Sequence, residues 1–216
     1  MLGSNFLIKS YGYFINVDLR LFYLMSSDKK LYIIAGCNGA GKTTASKRLL
    51  PDLIDCVEFI NADEIAFELC PNNVESVAFL AGRIMLNKIS ELLIQGNTFA
   101  IETTLSTKTY NQTILSAQSI GYRVVLIFYW LNSVELAMDR VQSRVLKGGH
   151  NIEIDVIKRR YVRGIQNLFN IYIPLVDECL IFDNTNVDYE LFAVKTNASI
   201  FYIINTKKWE ILSQKK

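Results

Sequence analysis

Of its 216 residues only four are cysteine, three proline and one histidine. The cysteines, Cys37, Cys56, Cys70 and Cys179, have no C-x-x-C spacing and no secreted framework, so a reduced, cytoplasmic compartment is the plain reading. The lone histidine, His150, has no nucleophile beside it in the chain, which leaves a Ser–His arrangement without support. Excess charge is missing too. The net charge of +2 is too small to argue for a nucleic-acid or membrane partner. The longest unbroken apolar run, residues 124–131, is far short of a membrane span. No internal repeat is visible. Half the residues are hydrophobic and 20% charged, which excludes disorder and leaves material for one sizeable core. Residues 1–24 lack the basic start, apolar centre and small-residue cleavage site of a signal peptide. They are either an extension ahead of a natural start at Met25 or an N-terminal strand packed on the core.

What is present centres on residues 30–44. A short apolar run leads to Gly36, Cys37, Asn38, Gly39, Ala40, Gly41, Lys42, Thr43 and Thr44, the G-x-x-x-x-G-K-[ST] pattern of a phosphate-binding loop. Glycines let backbone N–H groups curl around phosphate oxygens. Lys42 reaches the β- and γ-phosphates, and the Thr43 hydroxyl suits Mg²⁺. A helix starting near Gly41 points its positive end at the same anion.

Hydrophobic periodicity then alternates strand with helix. Strands are expected at 31–35, 57–60, 98–101, 122–131 and 180–182. Helices are expected at 44–50, 74–95, 106–120, 134–147 and 154–172, with Pro51, Gly96 and Gly121 as stops. That alternation predicts an α/β fold, a mostly parallel sheet flanked by helices, with ligands at the carboxyl ends of the strands. Those ends carry the loop, Asn61-Ala62-Asp63, Glu102-Thr103-Thr104, Asn132 and Asp183-Asn184. The 188–216 tail reads as two or three antiparallel strands. The assignment is a single domain over 25–216.

Asp63 is either a helix cap or a general base that takes the proton of an attacking hydroxyl. Glu102 can organise Mg²⁺ or hold substrate hydroxyls. Thr103 and Thr104 are either substrate contacts or ordinary strand-end residues. Asn184 is assigned to the nucleotide side with the loop. Arg140 and Arg144 share a helix face, with Lys147 a turn on; Lys158, Arg159, Arg160 and Arg163 follow on the next helix. With Gly148-Gly149 between them, these helices are expected to form a basic flap over about 141–163 that closes on a triphosphate. The alternative for each arginine is a solvated helix face.

The runs IIAGCNGAGKTT, FINADEIA, AIETTLS, GYRVVLIFYWL, RVQSRVLKGGH, VIKRRYVRG and IFDNT resemble, in order and spacing, the zeta-toxin-type P-loop kinases, especially their small free-standing bacterial members. The resemblance spans about 31–184. It implies a 2-3-1-4-5 strand order, ATP and Mg²⁺ as cofactors, and phosphorylation of a hydroxyl of UDP-N-acetylglucosamine, with a possible antitoxin protein as partner. It places Lys42 and Thr43 in the loop roles, Asp63 as base, Glu102 and Thr104 at substrate, Arg144 as first flap arginine and Arg159 or Arg160 as second. Cys37 departs from the family's proline, and Ile152 from the proline after Gly-Gly-His. The large helical extensions of the toxins are absent. Within enzymes the other reading is a kinase for a nucleoside or antibiotic. Outside them it is a non-catalytic nucleotide switch, or an RNA-binding helix at 158–163.

Overall fold

The computed structural model describes residues 5–10, 13–18, 29–46, 58–149, 151–186, 188–196 and 201–216. Pro51, the end of the helix after the loop, Met25, Cys56 and His150 lie outside the described residues. Near the N-terminus β1 (Asn5–Ser10) and β2 (Tyr13–Asp18) form an antiparallel hairpin as a sheet of their own, Phe6 opposite Val17.

The large sheet has seven strands. They are β3 (Lys30–Ala35), β4 (Glu58–Asn61), β5 (Phe99–Thr103), β6 (Arg123–Trp130), β7 (Glu178–Asp183), β8 (Glu190–Lys195) and β9 (Phe201–Ile203). Their spatial order is β4-β5-β3-β6-β7-β8-β9, which is 2-3-1-4-5-6-7 counted from the loop strand. Pairings among the first five are parallel, with Ile33 level with Ile101 on one side and Leu126 on the other. β8 and β9 add on antiparallel. β3 and β6 are central, and their apolar runs are buried on both faces, as a strand covered by helices on two sides requires.

The helices are α1 (described over 42–46), α2 (Ala62–Leu69), α3 (Ala78–Gln95), α4 (Tyr110–Ser119), α5 (Val134–Leu146), α6 (Ile154–Asn167) and α7 (Thr206–Ser213). α3 is preceded by a 3₁₀ turn at Val74–Val77 and closed by Gly96 in the left-handed region, φ 76°, the expected C-terminal stop. α6 continues into a π-helical stretch, Leu168–Tyr172, before Pro174. None of the described helices is long and apolar enough to cross a membrane.

Two expectations need correction. The tail is not all strand. Residues 206–213 form α7, because the Asn205 side chain accepts from Lys208 N as an N-cap, while Leu212 is buried and Trp209 packs edge-on to Phe169 at 5.4 Å. Likewise, α6 is not half of a loose flap. Ile157, Tyr161 and Ile165 bury one helix face in the core, and Tyr161 Oη donates to Leu131 O at 2.8 Å. Lys158, Arg159 and Arg163 are exposed on the outer face of α6, while the stretch that is exposed on most sides is about 142–149.

Candidate active site

β3 delivers the chain to the loop at the carboxyl edge of the sheet. Gly36 has φ 147°, and a Cβ there would lie 2.4 Å from Tyr129 O of β6, so only glycine lets the loop leave the sheet at this point. Gly41, φ 78°, would put a Cβ 2.6 Å from Asn184 Nδ2. Asn184 sits at the end of β7 and donates that amide to Ala40 O at 2.7 Å. That bond ties Asn184 to the loop, which it straps in place. From the other side Arg160 Nη1 donates to the buried Asn38 Oδ1 at 3.2 Å. Arg140 of α5 donates to Thr185 O at 3.0 Å, one residue past the strap.

Lys42 lies deeper than a surface ligand would. It is 7% exposed, donates to Cys37 O at 3.0 Å, and stands 3.6 Å from a Glu102 carboxylate oxygen. The Thr43 hydroxyl donates to the other Glu102 oxygen at 2.8 Å. A lysine bonded to its own loop carbonyl is held in place before any phosphate arrives. The Thr43–Glu102 pair is a hydroxyl and a carboxylate, both hard oxygen donors. It fits Mg²⁺, which takes one or two carboxylates and otherwise keeps water and phosphate oxygens. Burial pushes the Cys37 thiol up to about 11, so this loop residue is a neutral thiol at pH 7.

Asp63 follows β4, and the cap lies two residues ahead of it. The Asn61 side chain caps α2 by accepting from Asp63 N at 2.9 Å. The Asp63 carboxylate, in the first turn of α2 and exposed, lines a cleft of about 710 Å³. That cleft brings together Asn38, Gly39, Gly41, Lys42, Thr43 and Thr44 of the loop, Asp63 of α2, Glu102 of β5, and Arg140, Arg144 and Lys147 of α5. A smaller cavity of about 240 Å³ adjoins it between Thr44, Arg140, Asn184, Asn186 and Tyr189.

Several predicted residues fall elsewhere. Gly36 and Ala40 shape the loop from within; Ala40 is fully buried. Thr103 Oγ1 accepts from Leu105 N at 3.1 Å, and Thr104 Oγ1 bonds Ser106 Oγ at 2.9 Å. Both turn the chain from β5 toward α4, the strand-end reading. Arg159 is exposed on α6, and of the two neighbours it is Arg160 that reaches the loop. Neither lines the cleft among the described residues.

Sequence reasoning missed Asn61, whose cap signal, Asn before a helical run, was legible but went to Asp63. It also missed Lys208. From α7 this side chain lies 2.7 Å from Asp183 Oδ2 and 2.7 Å from Glu190 Oε2, while Asp183 Oδ1 accepts from Thr185 N at 2.9 Å. Burial alone would push the Asp183 carboxyl up, but the hydrogen bonds from Lys208 and Thr185 outweigh it and hold the group below its ordinary value. For Lys208, burial lowers the ammonium and the two carboxylates more than restore it, leaving it raised. No spacing rule announces such a clamp.

Loop, strand order and cleft together define a P-loop NTPase fold of the kinase type. The chain belongs to the AAA domain family AAA_33, which matches residues 31–163. It is 32% identical over 140 residues to an uncharacterized protein of Haemophilus influenzae, spanning 62% of this chain and 98% of that protein. Among solved structures, the AvrRxo1-ORF1:-ORF2 complex with ATP superposes with a TM-score of 0.66 at 17% identity, over 92% of this chain and 68% of that one. A structure of the PezAT toxin–antitoxin system of Streptococcus pneumoniae gives 0.60 at 17% identity, over 88% and 86%. At this identity the two likenesses show the fold. The family match ends inside α6, so β7, β8, β9 and α7, with the strap and the clamp, lie beyond it.

Proposed function

We propose that the protein transfers the γ-phosphoryl group of ATP to a hydroxyl of a small molecule. The observation that carries this is one cleft holding a phosphate loop, a carboxylate suited to be the base, and a basic wall. Loop N–H groups and Lys42 receive the phosphates. The acceptor oxygen attacks the γ-phosphorus and forms the new O–P bond, the bond to the ADP oxygen breaks, and the hydroxyl proton passes to Asp63. Arg140 and Arg144 meet the charge that spreads over the γ-oxygens. Thr43 and Glu102 would hold Mg²⁺, which when bound neutralises phosphate charge. A nucleotide switch needs no hydroxyl base, and the placement of Asp63 favours the kinase reading over it.

The resemblance makes UDP-N-acetylglucosamine, or a related nucleotide sugar, the first acceptor to assay. The PezAT likeness supports an antitoxin-type protein as a possible partner. The test is incubation with ATP, Mg²⁺ and a panel of nucleotide sugars, nucleosides and hydroxylated antibiotics, read by mass for a gain of one phosphate. Asp63→Asn and Lys42→Met serve as controls. Transfer by the wild type alone supports the reading. Tight ATP binding with no transfer to any member overturns it in favour of the switch.

A further inference from the structure

α6 is tied to the carboxyl ends of three strands that lie side by side, β5, β3 and β6. Past β3, Arg160 Nη1 donates to Asn38 Oδ1 of the phosphate loop at 3.2 Å. Past β6, Tyr161 Oη donates to Leu131 O at 2.8 Å. Past β5, Asn167 Nδ2 donates to Leu105 O at 2.7 Å. In the π-helical stretch that follows, Tyr172 Oη donates to Thr107 O, also at 2.7 Å.

Two local costs go with these ties. Gly164 sits inside α6, where glycine is a poor helix former. A Cβ there would lie 2.7 Å from Thr104 O, so glycine is what lets the helix approach the β5 turn. In that turn Leu105 is fully buried with φ 55°, alone in the left-handed region among the described non-glycine residues. Burying α6 requires neither, since Ile157, Tyr161 and Ile165 already pack its inner face. What apolar packing specifies poorly is rotation about the helix axis. One residue is about 100° of turn, the difference between Arg159 and Arg160. Arg160, Gly164 and Asn167 are spaced i, i+4, i+7 and share one stripe of the helix. Directed contacts along that stripe fix the rotation.

The stripe ends on a small turn of the loop. Ala40 N donates to Cys37 O at 3.1 Å, which places Asn38 and Gly39 at the middle of that turn. Cys37 O also accepts from Lys42 Nζ. Arg160 thus holds the turn by Asn38, on the side opposite to Ala40, which Asn184 holds.

We propose that Arg160 is a positioning residue of the nucleotide site, acting through Asn38 and not on the phosphates, and that Gly164 and Asn167 position it by fixing the rotation of α6 against the β5 turn. The resemblance would instead allow Arg160 to be a flap arginine on the triphosphate. In the structure its guanidinium is bonded to Asn38, which is 4% exposed, while Arg140, Arg144 and Lys147 line the cleft. A tie on the loop acts on every phosphate the loop receives, so its loss falls alike on di- and triphosphate nucleotides. The inference rests on a nucleotide occupying the loop, and phosphoryl transfer is not needed for it.

The experiment is calorimetry on the full chain with Mg²⁺, comparing ADP with a non-hydrolysable ATP analogue. Arg160→Ala should weaken both by ~3–10-fold, with the two factors within ~2-fold of each other. Asn167→Ala removes the amide and puts a better helix former in its place. It should weaken both nucleotides by ~2–5-fold, and Gly164→Ala should do the same. In the Arg160→Ala background Asn167→Ala should add nothing, because its effect passes through Arg160. Gln166→Ala, exposed on the same helix, should leave both affinities unchanged. Asn167→Ala carries the test if Gly164→Ala folds poorly. A loss confined to the ATP analogue would make Arg160 a γ-phosphate contact and overturn the proposal. So would full additivity of Asn167→Ala with Arg160→Ala, or unchanged affinity in Arg160→Ala. The kinase reading fails separately: equal losses for both nucleotides, with no phosphate on any compound of the transfer panel, overturn catalysis and leave the tie. Transfer with a loss confined to the triphosphate does the reverse.

Discussion

The phosphate loop and the basic stretch that faces it are built to different standards of fixity. The loop is buried and cross-tied: Asn184 holds Ala40, Arg160 holds Asn38, and Lys42 holds Cys37. Across the cleft, residues 142–149 are mostly exposed, Leu146 is 84% exposed, and Gly148 and Gly149 interrupt the chain before Ile152 anchors it again. One side of the site is fixed by its own ties; the other is exposed and interrupted by two glycines. Donors fixed in advance cost no reorganisation when charge develops, while a segment that closes can exclude the water that competes with the acceptor. Both properties are useful, and a single rigid element could not supply both.

Substitutions can break this contrast from either side. On the fixed side, Lys42→Met should give the largest effect. It should reduce turnover below detection and weaken ATP binding by ~10²-fold or more, with the circular dichroism spectrum unchanged. ATP affinity within twofold of wild type would remove Lys42 from the phosphate site. Asp63→Asn comes next. As a lost base it should lower kcat by ~10²–10⁴-fold with ATP affinity little changed. Since Asn61 already caps α2, near-normal turnover would leave Asp63 with no role in transfer.

The exposed side is tested by Arg144→Ala, with an expected fall in kcat of ~10–10²-fold and a smaller loss of ATP affinity. Hydrogen exchange should show 142–149 protected by ATP and Mg²⁺, while the buried face of α6 is protected with or without them. Equal exchange of 142–149 in both states would make it a plain solvated helix end.

The smallest effect belongs to the clamp. Lys208→Met should raise the KM for ATP by ~3–10-fold while kcat holds, and Lys208→Arg should recover part of it. The pH dependence follows from the two shifts. Asp183 is held below its ordinary value, so its contribution is present above the unfolded carboxyl range near ~4 and is lost as pH falls through the lower folded value. Lys208 is raised, so its contribution is present below ~10 and is lost as pH rises through the higher folded value. The gap between wild type and Lys208→Met should therefore be flat from about pH 5 to 9 and close only at the acid and alkaline extremes. A gap that changes steadily across neutral pH would assign the effect to another group.

What could be read in the sequence was local. A strand announces itself by its apolar run, the loop by its glycines and Lys42, and α3 by its period and Gly96. The parallel order followed from the alternation together with the resemblance. The ties between distant segments had no such signal. Nothing near Asn184 says that it will meet Ala40, 144 residues away. Arg159 and Arg160 are equivalent in composition, and only the rotation of α6 against the core decides which one reaches Asn38. The tail read as strand because Trp209, Ile211 and Leu212 suit a sheet as well as a helix. Asn205 decided it, together with the packing of Trp209 against Phe201 at 4.7 Å. The flap was drawn too wide for a similar reason: the basic residues of α6 are conspicuous in the sequence, while Ile157, Tyr161 and Ile165, which bury that helix, look like any amphipathic pattern.

The clamp also sets an order of events during synthesis. The ribosome makes Lys42 early, but the amide that straps the loop is made at residue 184 and the ammonium that braces it at 208. At ~5–20 residues per second, the loop waits on the order of ten seconds or more for its last brace. A nascent chain that has only reached the end of the family-matched segment carries the whole nucleotide signature without the Asn184 strap and the Lys208 brace. The last two ties on the loop are thus made late, when the far end of the sheet closes against what the near end began.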